Sequence, residues 1–154
     1  MALINRDEQY LVEECLYAHK YMTVRIGDLE ALISAIMPPL PGSVLKMVGR
    51  PVAKTPFDTS QTERWGLRRA TCSEAEEALA KKWVVTRLTT LKTELGPLES
   101  EYVRLLYDKE LPARTVIRKM GLQERQFYRI RKRVLQKAWV YLHSIRHLLE
   151  LACL

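Results

Sequence analysis

Apolar residues in this chain return at steps of three and four, the repeat of one side of a helix, and this spacing constrains the fold more than any other feature. Between residues 4 and 36, Leu11, Cys15, Ala18, Met22, Leu29, Leu32 and Ile36 keep to that repeat. Arg25 occupies one stripe position and Gly27 weakens the middle, so the segment reads as one long helix or as two broken near Gly27. Pro38-Pro39 ends it, because proline lacks the amide donor and has a fixed φ. Five of the seven prolines fall in residues 38–56, which together with Gly42 and Gly49 mark a loop over 38–58.

Two sequences beyond the loop fit a capping box, Ser60-Gln61-Thr62-Glu63 and Ser73-Glu74-Ala75-Glu76, and each is expected to open a helix. A further stripe runs through Ala75, Leu79, Val84, Leu88, Leu91 and Leu95 to a stop at Gly96-Pro97. Val84-Val85-Thr86 and Thr89-Thr90 have strand propensity, but a capped pattern of this length exceeds a typical strand. Two long amphipathic helices joined by a loop are expected to pair as an antiparallel hairpin. The same stripes could pair between chains. Trp65, Trp83 and Trp139 read as core or interface residues.

Charge divides the chain at the same place. Residues 1–96 hold 13 basic and 12 acidic side chains, net +1, whereas residues 97–154 hold 12 and 6, net +6, out of +7 for all 154 residues. The last third therefore carries the charge that an anionic partner would meet. Its helical pattern has three parts, residues 98–107, residues 113–120 and Gln123 onward, with only Gly121-Leu122 between the last two. That is a helix-turn-helix arrangement, with Gly121 suited to a positive φ and Leu122 turned back to the core. Between Ala113 and Lys137 nine basic residues face one acidic residue, Glu124, a net charge of +8 over 25 residues. This has the make-up of a phosphate-binding surface. Val116, Ile117, Met120, Leu122, Phe127 and Ile130 would hold the two helices together, and Tyr128, about 100° round from Phe127, could face either core or DNA.

The stretch from Met120-Gly121-Leu122-Gln123-Glu124-Arg125-Gln126-Phe127-Tyr128-Arg129-Ile130 into Val134-Leu135-Gln136-Lys137-Ala138 resembles the region-4 helix-turn-helix of sigma factors. With the helical first part, including Glu13-Glu14-Cys15-Leu16-Tyr17-Ala18-His19-Lys20, the chain resembles the RinA/ArpU group of phage late-gene transcriptional activators. The resemblance implies an all-α fold, with residues 1–96 serving packing, oligomerisation or polymerase contact and residues 97–154 binding DNA. It places base reading on Glu124, Arg125, Tyr128, Arg129 and Arg133. None of these reproduces the pattern that reads a standard promoter element, so the target should differ. Arg can fork onto guanine and Glu can accept from cytosine. Arg114, Arg118, Lys119 and Lys132 are assigned to phosphates, and Gln126 to a phosphate or adenine. Two positions depart from the family pattern: Ile117 stands where a small residue is usual, and Gln123 where Ser or Thr is.

The partners expected are double-stranded DNA and, as further candidates, bacterial RNA polymerase and a second copy of the chain. The alternatives are a DNA-recognition subunit of a packaging machine, resembling a small terminase, and an antiterminator acting at the polymerase. No cofactor or metal is expected: His143 with His147, and Cys15 with His19, have one-turn spacing but no CxxC partner. No nucleophile–base set or glycine-rich phosphate loop points to an enzyme. The three cysteines are odd in number and scattered, which fits a reducing cytoplasm, and no apolar run reaches membrane-spanning length. After Arg133 the helical pattern continues through Val134, Ala138, Tyr141, Ile145, Leu148 and Ala152, to pack on the N-terminal hairpin or on a second chain. A fragment beginning near Gly96 is expected to keep its operator preference.

Overall fold

The structure, a computed structural model, describes residues 4–36 and 61–153. The expected loop 38–58 lies outside the described residues. Every element among them is helical: α1 (Arg6–Ile36), α2 (Gln61–Glu94), α3 (Pro97–Val103) running into a π-helical turn (Arg104–Asp108), α4 (Ala113–Met120), α5 (Glu124–Leu142), a 3₁₀ turn (His143–Ile145) and α6 (Arg146–Cys153).

Helix α1 passes through Gly27 unbroken, so the stripe makes one helix. The first capping box falls at the edge of the description of α2, which opens at Gln61, and its Ser60 lies outside the described residues. The second box is a correction. Ser73 stands inside α2, where the amides ahead of it are already bonded along the helix and have no need of a cap. The stripe read from that start fails at its first two members. Ala75 and Leu79 are exposed, Leu79 at 56%, while Ala78, Ala80, Val84, Leu88 and Leu91 are buried. In α1 the stripe holds at Cys15, Met22 and Leu29, but Leu32 is exposed. Arg25, the charged member of the stripe, turns out to Glu77 at 3.2 Å.

Helices α1 and α2 run antiparallel: Lys92 of α2 lies beside His19 of α1, and Lys82, ten residues earlier, pairs with Glu30, eleven residues later. Helices α5 and α6 pack against this hairpin. One continuous core joins Val12 and Leu16 of α1, Val84 and Leu88 of α2, Tyr102 and Val103 of α3, Phe127, Val134 and Leu142 of α5, and Leu149 of α6. It crosses position 96 without a break. The expected C-terminal stripe is also corrected in part, since steps of four from Val134 through Ala138 lead to Leu142. Leu142 and Leu149 are fully buried where Tyr141 and Leu148 are only half-buried. Trp139 is core, Trp83 is 44% exposed beneath Arg87, and the side chain of Trp65 lies outside the description. Lys81, buried in α2, donates to the Ala152 carbonyl at 2.6 Å and so satisfies an open end of α6.

Candidate nucleic-acid interface

The turn between α4 and α5 is built as its sequence requires. Gly121 takes φ 62°, ψ 31°, its amide donates to the Arg118 carbonyl at 3.3 Å, and the Leu122 amide donates to the Ile117 carbonyl at 3.1 Å. This Schellman arrangement closes α4 while Ile117 and Leu122, both half-buried, rest on the core. Ile117 is thus accommodated as the apolar member of the turn. Gln123 opens α5 with extended backbone, and the Gln126 side chain accepts from its amide at 3.1 Å. The cap is therefore supplied from three residues downstream, which fits a helix start lacking Ser or Thr.

Upstream, Lys109 donates to the Arg104 carbonyl at 3.0 Å, the i to i+5 bond of the π-helical turn. Glu110 then adopts φ 52°, the left-handed region that a non-glycine residue enters only when held there. It is held by α1: Lys20 pairs with the Glu110 carboxylate at 2.9 Å, and the Tyr21 hydroxyl donates to it at 3.0 Å. These contacts keep its carboxyl below the usual carboxylate range, Lys20 acting most strongly. Lys92 secures Asp108 at 2.8 Å. The entrance to α4 is thus anchored to both long helices.

Phe127, Ile130, Val134 and Ala138 form the inner side of α5. At 100° per residue, Arg125, Arg129, Lys132 and Arg133 come on successive turns of the opposite side. All ten side chains expected from the sequence to touch DNA are exposed: Glu124, Arg125, Tyr128, Arg129, Arg133, Arg114, Arg118, Lys119, Gln126 and Lys132. Tyr128 sits at the border. It is half exposed, with its ring edge-to-face against Phe127 at 5.5 Å. The contact extends an aromatic series from Tyr17 of α1 through Tyr107 and Tyr102 to Phe127, with centroids 4.8, 5.9 and 5.2 Å apart.

Two of the nine basic residues leave the expected surface. Arg131 pairs with Glu13 of α1 at 2.7 Å, and Lys137 pairs with Glu99 of α3 at 2.6 Å. The other seven, Arg114, Arg118, Lys119, Arg125, Arg129, Lys132 and Arg133, have no carboxylate within ion-pair distance among the described residues. In the bundle, Lys20, Arg25, Lys82, Lys92 and Arg146 each meet one. Arg114 also stands in the first turn of α4, which has no acidic residue, where the helix dipole disfavours a cation. Such a placement gains nothing for folding.

The two structural pairs were missed for different reasons. Arg131 lies one turn beyond Phe127, about 40° from it, so its place on the inner stripe was legible from the periodicity alone. Glu99 and Lys137 are 38 positions apart and no local pattern links them. Among the described residues no three metal-binding side chains come together, and no helix is long and apolar enough to cross a membrane. No protein-family model, curated protein or solved structure matches the chain.

Proposed function

We propose that this protein is a sequence-specific double-stranded-DNA-binding activator of phage late-gene transcription, of the RinA/ArpU type, which presents α4 and α5 as a sigma region-4-like helix-turn-helix. One observation carries the reading. The seven cations of α4 and α5 that meet no carboxylate among the described residues are all exposed, whereas Arg131 and Lys137 are neutralised by Glu13 of α1 and Glu99 of α3. Unpaired like charges repel each other, so a folded chain keeps them together at a cost that a polyanion removes.

In this reading α5 enters the major groove with Arg125 and Arg129 toward base edges. Arg133, one turn further, and Glu124 and Tyr128, at the start and margin of the helix, complete the reading set. Arg114, Arg118, Lys119 and Lys132 hold flanking phosphates, with Gln126 contributing its amide donors while its oxygen caps α5. RNA polymerase, or a second copy of the chain, is then met by the surface that remains.

The test is selection of bound duplexes from a random pool, followed by salt titration on the selected site. A recurring site should emerge, and each of the four phosphate-binding cations should contribute about 0.9 to the magnitude of the log–log salt slope. A flat salt dependence with no enriched sequence overturns the proposal.

A further inference from the structure

Cys15 lies in α1 and Cys153 in the last turn of α6, 138 positions apart in sequence, yet their Sγ atoms are 3.1 Å apart. A disulfide needs about 2.05 Å, so an approach of about 1 Å separates this thiol pair from a bond. The two cysteines differ in access. Cys15 is fully buried, whereas Cys153 is half-buried and reachable from solvent. Lys81 provides a cation beside the pair: its Nζ, itself buried, lies 2.6 Å from the carbonyl of Ala152, the residue preceding Cys153.

We propose that Cys15 and Cys153 are a reversible redox pair, through which a small-molecule disulfide fastens the N-terminal helix to the C-terminal one. The hydrogen bond with Cys15, helped by the charge of Lys81, holds the Cys153 thiol below its ordinary range against burial and the charge of Glu14. The same hydrogen bond, together with burial, pushes that of Cys15 up. Cys153 is therefore the attacking sulfur and Cys15 the resolving one.

With oxidised glutathione as oxidant, the Cys153 thiolate attacks one glutathione sulfur, a mixed disulfide forms and one glutathione thiolate departs. Cys15 then loses its proton to that thiolate, and its sulfur attacks Cys153 Sγ, expelling the second glutathione. Two protein thiols lose two protons and two electrons, and oxidised glutathione takes up both to give two thiols. The product closes nearly the whole chain into one loop, the arrangement that most restricts an unfolded chain.

The experiment uses the full chain with Cys72→Ser, equilibrated with oxidised and reduced glutathione at set ratios, acid-quenched and alkylated. Peptide mapping should join the Cys15 and Cys153 peptides within one monomer. The Tm should rise by on the order of 10 °C and return on adding dithiothreitol. Adding Cys15→Ser should leave glutathione trapped on Cys153. The proposal is overturned if the folded protein keeps both thiols at ratios that oxidise the urea-unfolded chain. Glutathione persisting on Cys153 while Cys15 is present, or joined peptides without a rise in Tm, also overturns it. No DNA enters the experiment, so its result is independent of the proposed DNA-binding role.

Discussion

Arg125, Arg129 and Lys132 share one exposed side of α5, yet loss of each should produce a different signature if the first two read bases and the third holds the backbone. Arg125→Ala and Arg129→Ala should each cost about 1–3 kcal/mol at the selected site and relax the preference at one base position. Lys132→Ala should weaken selected and random duplexes in equal proportion, because a phosphate is the same in every sequence. Competition binding on both duplexes separates the cases, and equal proportional loss for all three would move specificity to Glu124 or to DNA shape. Phe127→Ala serves as the folding control: its ring is 2% exposed, so truncation should cost about 3–5 kcal/mol in a denaturant melt. Exposure at this scale was legible in part in the sequence, since Arg125, Arg129, Lys132 and Arg133 follow from counting round α5 from Phe127. Arg131 was not separated from its neighbours, because a count of charge ignores direction. Its partner Glu13 lies 118 residues away, beyond any local pattern.

Short elements here owe their geometry to single residues. Gly121 has open space where a Cβ would stand, so Gly121→Ala meets no clash, but its φ of 62° remains unfavourable for an L side chain. A loss of about 1–2 kcal/mol in a thermal or chemical melt is expected, with α4 and α5 otherwise retained. The linker ahead of α4 should respond to pH through Glu110. Lys20 lowers the folded carboxyl below its ordinary 4.5, so the stabilisation is complete above that value and is lost as pH falls through the folded one. Amide protection at residues 109–111, taken relative to the intrinsic exchange rate, should therefore fall as pH drops below that ordinary value. Glu110→Gln should show the faster exchange already at neutral pH. If the variant and the native chain exchange alike there, the anchor is not what holds the linker. The α4 bounds and the glycine turn could be read from local signals, as could the stop of α2 at Gly96-Pro97. The π-helical turn and the positive φ at Glu110 could not, since both depend on Lys20 and Tyr21 of a distant helix. The misplaced start at Ser73 has the opposite cause: a local signal was present, and a helix already under way from Gln61 overrode it.

Across the whole molecule, the charge boundary near residue 96 and the packing boundary do not coincide. Composition places a nearly neutral first part beside a basic last part, which invites the expectation that residues 97–154 stand alone. The core runs through both: Val134, Leu142 and Leu149 are fully buried in a cluster that includes Val12, Leu16, Val84 and Leu88. Cutting the chain at Gly96 removes α1 and α2 and leaves that side of α5 and α6 in water. Burial of each such side chain stabilises by roughly 1.5–3 kcal/mol, so exposing three or more approaches the whole stability of an ordinary domain. The Glu13–Arg131 pair and the Lys81 contact to the Ala152 carbonyl are lost with them. The 97–154 fragment should therefore melt without cooperativity, show poor dispersion in an amide NMR spectrum and bind DNA through charge alone, without preference for the selected site. This reverses the outcome expected from the sequence. A fragment with a sharp melt and native dispersion would show that α3 to α6 carry a sufficient core of their own, and the two long helices would then be free to serve a partner instead of supporting α5.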